Sequence, residues 1–434
     1  MSTLAERLRG VIRPTPDACG ANPLGSPGGP EGSAPHESQG HHAADVLGGE
    51  WCEQDGHRFL VVDRSYRPGH RLGRASVADC LPPSDGAWPR LSLLSGCAPG
   101  RSPKLLFLDL ETTGLAGGAG TCAFLVGCGW FDGASFRVRQ FFLSSHAGEP
   151  ALLDALAALA GDAGTVVTYN GKSFDLPLIE TRYLFHRLHT PFTGMPHLDM
   201  LHPARRLWRA DSDDEGERPA SCRLSMIEET LLGHVREGDV PGFEIPSRYF
   251  HFVRTGDARP LEAVLEHNRL DILALAMITA RAAQLLDEGP AGARTAREAL
   301  GLGRLYERGG LCADARASYS RAAEMQPADL LTRAEALRAC ALLSRRERQF
   351  DEAASSWRRL LDLRRCPPQL AREATEALAV HHEHRVRDLE AARRFAVQSL
   401  QFNGSRARTE AVQHRLARLD RKLGGSSASP AVLF

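Results

Sequence analysis

Four apolar runs of strand length between Lys104 and Tyr169 constrain this chain more than any other feature. Lys104–Leu110 (KLLFLDL), Cys122–Phe131 and Ser135–Leu143 come first, the last two joined across Asp132-Gly133, residues that tolerate positive φ and so signal a hairpin. A helical pattern at Pro150–Ala160 separates them from the fourth run, Thr165–Tyr169. A helix from about Asp175 to Leu188, a strand-like piece (PHLDM) and further helices follow, the last from about Pro260 to Asp287. The order βββαβαβα starts as an antiparallel meander and passes to parallel strands, which predicts an α/β unit with a mixed sheet flanked by helices.

What surrounds that unit is different. From Pro14 to Ala44, 15 of 31 residues are Gly, Pro or Ser, too few apolar groups to offset the entropy of ordering. Residues 1–44 are therefore expected to be mostly disordered behind a short amphipathic start (Leu4, Leu8, Val11, Ile12), with His41 and His42 in a solvated loop. The α/β unit is expected over 45–288, opening on a short β extension around HRFLVVDRSY. Asp211–Pro219 (DSDDEGERP) reads as an exposed acidic loop, next to a basic stripe of Arg205, Arg206 and Arg209.

Beyond Gly289-Pro290-Ala291-Gly292 the strand pattern stops. Ala315, Ala353 and Ala391 recur every 38 residues, each followed four residues later by an aromatic: Tyr319, Trp357 and Phe395. That spacing puts the pair on one helix face, where the small residue admits a neighbouring helix. The period predicts an all-α helical-repeat domain over 289–423, similar to tetratricopeptide repeats, and a flexible tail over 424–434. The 53 basic and 53 acidic residues cancel over the whole chain. From Pro290 onward, however, 26 basic residues face 17 acidic ones, a net of +9. Such a surface fits a protein partner or a nucleic-acid backbone.

No apolar stretch approaches the ~20 residues that span a bilayer, and the N-terminus has no secretory apolar core. The 10 cysteines form no CxxC pair, so they read as reduced thiols of a cytoplasmic protein, with Cys122 and Cys128 as core residues.

The chemistry concentrates in three places. In FLDLETTG, Asp109 and Glu111 leave the same face of a strand, and converging carboxylates are costly unless a cation sits between them. Hard oxygen donors suit Mg²⁺ or Mn²⁺. Asp175 closes TYNGKSFD, just where a buried strand gives way to a helix. His267 and Asp271 lie one turn apart on the last long helix and share a face.

In this order the pieces resemble the DEDD superfamily of 3′→5′ exonucleases. More closely, the blocks FLDLETTGLAGGAGT, TYNGKSFDLPLIETR, HLDMLHPARRLW, CRLSMIEETLLG, PGFEIPSRYF and EHNRLDILAL resemble the YprB-type ribonuclease-H-like domain family over about Trp51–Leu286. The resemblance implies a ribonuclease-H-like fold in which Asp109, Glu111, Asp175 and Asp271 hold two Mg²⁺ or Mn²⁺ ions. It also implies His267 as general base, Thr112, Thr113 and Leu115 lining the groove for a terminal nucleotide, and Asn170 and Lys172 contacting phosphate. His267 stands four residues before Asp271, the spacing of the superfamily's tyrosine branch; its histidine branch uses five. The implied activity is phosphodiester hydrolysis on single-stranded DNA or RNA. The other readings are an endonuclease with the same metal site, or a non-catalytic nucleic-acid-binding scaffold whose repeats recruit partners. His197, Asp199 and His202 stand beside the site, and Glu228 reads as structural.

Overall fold

The structure is a computed structural model that describes residues 36–54, 56–83, 88–96, 102–114, 120–209, 222–402 and 406–426. Residues 1–35, Leu115, the acidic segment 211–219 and everything after residue 426 lie outside the described residues.

The strands are β1 (Glu50–Gln54), β2 (His57–Tyr66), β3 (Arg71–Leu72), β4 (Ala75–Ser76), β5 (Leu105–Thr112), β6 (Ala123–Asp132), β7 (Ser135–Phe142), β8 (Thr165–Thr168) and β9 (His197–Asp199). All but β3 and β4, which pair separately, form one mixed sheet in the order β1-β2-β7-β6-β5-β8-β9. The meander β5-β6-β7 is antiparallel, with Gly133 at φ +57 in the turn between the paired Asp132 and Ser135. Strands β8 and β9 then add in parallel beside β5. The run HRFLVVDRSY is β2, paired antiparallel to β7.

Both faces of the sheet are covered, so β5 has to be apolar on both sides, as the run LLFLDL is. Leu106, Leu108 and Leu110 pack with α3 (Glu149–Ala160), α4 (Asp175–Phe185) and α7 (Ile245–Thr255). On the other face Phe107 meets the C-terminal half of α8 (Arg259–Glu288). Helix α8 buries Ile272, Leu273, Leu275 and Ile278 there, each worth roughly 1.5–3 kcal/mol of transfer free energy. Its approach depends on two glycines of β6. A Cβ on Gly127 would fall 2.2 Å from the Asn268 side chain, and one on Gly129 2.5 Å from Ile272.

A buried ion pair fastens α3 to α4. Glu149 accepts Nε and Nη2 of Arg182 at 2.6 and 2.5 Å and His186 Nε2 at 2.8 Å. Burial alone would raise the Glu149 carboxyl, but these hydrogen bonds outweigh it and hold it below its ordinary value. Cys122 and Cys128 are buried, as core thiols should be.

Helix α1 (His36–Leu47) takes up the last residues of the segment expected to be mostly disordered, and carries His41 and His42, expected in a loop. Ala43 and Leu47 are buried in the core cluster below the sheet, so tertiary packing supplies the burial that local composition does not offer.

The C-terminal region is all-helical: α9 (Ala296–Arg308), α10 (Cys312–Glu324), α11 (Leu330–Arg346), α12 (Phe350–Leu361), α13 (Pro368–His381), α14 (Leu389–Ser399) and α15 (Arg406–Ser426). Ala315, Ala353 and Ala391 are buried on α10, α12 and α14, with Tyr319 and Trp357 buried one turn on and Phe395 half-buried. Helix α15 runs on to Ser426, past the expected start of the tail. The helices are continuous with the α/β core: Trp208 Nε1 donates to Glu298 Oε1 at 2.9 Å, and Gly301 lies against the backbone of Arg206. Among the described residues no helix is long and apolar enough to cross a membrane.

Gly127→Ala should destabilise the protein by about 1–3 kcal/mol, the usual cost of overpacking a well-filled core. Urea denaturation followed by tryptophan fluorescence would check this, and an unchanged midpoint would mean that α8 does not need the glycine.

Candidate metal-binding acid site

Asp109 and Glu111 sit near the C-terminal end of β5, paired across the sheet with Gly127 and Leu125. A bulge at Glu111/Thr112 ends the regular ladder just past them. Beyond it, Thr112 Oγ1 donates to Gly114 O at 3.0 Å, and Thr113 Oγ1 accepts the Cys122 N–H at 3.0 Å. Both threonine hydroxyls thus bond described residues next to the site, Gly114 and Cys122.

Asp175 is the first residue of α4, presented by the loop after β8. Asn170 takes φ +67 in that loop, and buried Asp199 holds the turn. The Asp199 carboxylate accepts the N–H groups of Asn170 at 2.7 Å, Lys172 at 3.1 Å and Leu201 at 3.1 Å. Asp199 therefore builds the loop that offers Asp175. His197 Nε2 lies 2.8 Å from Thr168 Oγ1, and burial pulls its pKa down to about 4. His202 and Lys172 are exposed, and Asn170 is half-buried.

The third part comes down on α8. Asn268 is fully buried: its Nδ2 donates to Asp109 Oδ2 at 2.9 Å, and its Oδ1 accepts Gln140 Nε2 at 2.9 Å. Gln140 also donates to Leu265 O at 2.8 Å, which ties β7 to α8. His267 and Asp271 flank Asn268 and face other partners. His267 Nδ1 is 2.6 Å from Asp239 Oδ1, and its Nε2 is 3.5 Å from Asp271 Oδ2. Arg236 Nη2 meets Asp271 Oδ1 at 2.6 Å and Glu228 Oε2 at 2.7 Å.

Sequence reading missed Arg236, Asp239, Asn268 and Gln140. Arg236 and Asp239 stand in the loop between α6 (Leu224–Leu232) and α7, where no periodicity marks them. Asn268 had a signal in its place between His267 and Arg269, on the helix face toward the sheet. Glu228 is wholly buried under Arg236 and His234, in keeping with a structural role.

The four predicted acids are close enough to sense one another's charge. Asp109 is raised well above the ordinary carboxylate range by burial, then by Asp271, Glu111 and Asp175, with the Asn268 hydrogen bond opposing. Glu111 is likewise raised well above its ordinary value by burial and by Asp271, Asp175 and Asp239. Asp175 is pushed up to about 7, first by burial, with backbone hydrogen bonds pulling the other way and Asp199 and Asp271 adding to the rise. A cluster of oxygen donors that repel one another in a half-buried place fits a hard divalent cation. Among the described residues, no three such side chains already stand in a coordinating arrangement; Asp271 is turned to Arg236.

The family described as RNase_H superfamily matches residues 106–283. Over 323 residues the chain is 31% identical to the uncharacterized protein YprB of Bacillus subtilis (strain 168), covering 74% of this chain and 75% of that protein.

Raised carboxylates make the folded metal-free protein bind more protons than the unfolded chain. Their full contribution to stability is present below the unfolded value of 3.8 and is lost as pH rises through the folded value, about 7 for Asp175. In EDTA, the melting temperature should therefore fall between about pH 4 and about pH 7, and Mn²⁺ should reverse the fall. Asp175→Asn should flatten the EDTA profile; a wild-type curve with no slope over this window would show that the acids do not repel.

Proposed function

From the premise that the chain belongs to the YprB family and carries a ribonuclease H superfamily domain, we propose that it is a metal-dependent nuclease that acts as a 3′→5′ exonuclease on single-stranded DNA or RNA. The observation that supports this most directly is the mutual charge coupling of Asp109, Glu111, Asp175 and Asp271 around the end of β5.

In this reading the four acids would hold two Mg²⁺ or Mn²⁺ ions, which would supply Lewis-acid chemistry at the phosphodiester. The chain's own residues do the rest. Asn268, fixed by Gln140, sets the orientation of Asp109. Asp199 sets the loop that carries Asp175 and exposes Lys172 to a substrate phosphate. An ionised carboxylate only accepts, so the Asp239 contact places the His267 proton on Nδ1 and leaves Nε2 to accept one from water. Thr112 and Thr113, bonded to Gly114 and Cys122, line the groove for the terminal nucleotide in this reading, together with Leu115. The C-terminal helices act as tetratricopeptide-like repeats that recruit a protein partner in the cytoplasm, since their basic residues are spread along the helices and not gathered in one run.

Asp109→Asn and Asp271→Asn should each lower cleavage of end-labelled single strands by several orders of magnitude while the circular dichroism spectrum is kept. Near-wild-type activity in both would falsify the assigned site. Internal products in place of stepwise shortening would make the enzyme an endonuclease. No Mg²⁺- or Mn²⁺-dependent cleavage of any substrate would leave the non-catalytic scaffold.

His267→Ala should reduce turnover by about 10²–10⁴-fold, the range of a single general base, while sparing Mn²⁺ binding. Raising the pH should restore part of the rate by supplying hydroxide. Unaltered turnover in this variant would remove His267 from the chemistry.

A further inference from the structure

The acid site contains a cation of its own. The guanidinium of Arg236 touches three carboxylates: Glu228 through Nε at 2.9 Å and Nη2 at 2.7 Å, Asp271 through Nη2 at 2.6 Å, and Asp239 through Nη1 at 3.5 Å. Its side chain is only 5% exposed, which leaves it little access to a substrate phosphate. Glu228 is completely buried and also accepts His234 Nδ1 at 2.6 Å, so it is a fixed anchor. Beyond burial, the charges that raise Asp109 and Glu111 include Asp271, Asp175 and Asp239, and Arg236 touches the first and the last of these. Glu228 thus serves Arg236, and Arg236 serves the site.

Asp271 Oδ1 is held by Arg236, while its Oδ2 lies 3.5 Å from His267 Nε2. The shorter and stronger of the two contacts is the charged one. A divalent ion drawing on Asp271 Oδ1 has to take it from a buried arginine that is held from behind. We propose that Arg236 is a resident counter-cation that competes with the divalent ion for Asp271. It lets the acids fold together before metal arrives, and it keeps metal binding weak enough to respond to the free ion concentration. The competition is between like charges a few ångströms apart in a poorly solvated place, where Coulomb terms are several-fold larger than in water. The proposal rests on reading Asp271 as a metal ligand.

Mn²⁺ titration calorimetry and thermal denaturation of the full chain test it, on wild type, Arg236→Gln, Arg236→Lys and Asp109→Asn. Arg236→Gln should melt lower than wild type in EDTA, because repulsion at the site loses its counter-charge. It should bind Mn²⁺ about tenfold tighter or more, and saturating Mn²⁺ should close the gap in melting temperature. Arg236→Lys should fall between, since an ammonium lacks the planar fork that joins Glu228 and Asp271 at once. It carries the comparison if the glutamine variant does not fold. Unchanged or weaker Mn²⁺ binding in the Arg236 variants, with wild type binding and Asp109→Asn not binding, overturns the role of Arg236 alone. Wild type that binds no Mn²⁺ overturns the metal reading and this inference with it.

Discussion

One close approach governs the α/β half of this protein: helix α8 lying on the sheet where β6 has no side chains. Asp109, Gly127 and Gln140 form a row across β5, β6 and β7, and Asn268 sits over that row. Because Gly127 and Gly129 present only backbone, α8 comes near enough for one asparagine to bond both Gln140 and Asp109. The same approach carries His267 and Asp271 to the acids of β5. Without it, the third part of the site would stand a side chain's depth too far away.

Bringing carboxylates together is unfavourable, and the fold offsets it with donors from four directions. Asn268 supports Asp109, backbone groups support Asp175, Arg236 faces Asp271, and His267 Nδ1 faces Asp239. The compensation is partial, as the raised carboxyls of Asp109, Glu111 and Asp175 record. Residual repulsion in a half-buried cluster is a reservoir of binding free energy for a cation, and stability is given up to keep it.

The helical region is part of this architecture. One hydrophobic cluster runs from Phe107 and Val138 on the sheet through Ile278 and Leu285 of α8 to Tyr306, Tyr319 and Trp357. Trp208 and Glu298 bond across the junction, and Gly301 admits the backbone of Arg206. The 38-residue period was readable because a small residue and an aromatic one turn apart have to meet the neighbouring helix at every recurrence. The shared core was not, because the apolar positions that form it look the same as those that pack within one unit.

The local order of the chain was determined by sequence alone. The strand runs, the Asp132-Gly133 turn, the long helix and the end of strands at Gly289 follow from side-chain periodicity and backbone preference, which act over a few residues. The acids on β5, on α4 and on α8 could be named for the same reason, since each sits in a short motif. Tertiary structure alone decided which groups answer them. Arg236, Asp239, Gln140 and Asn268 come from a loop, a strand and a helix up to 159 residues from Asp109. No local pattern marks a residue whose partner lies on another element. It also decided that His36–Leu47 is a helix, since the finished core is there to receive Ala43 and Leu47.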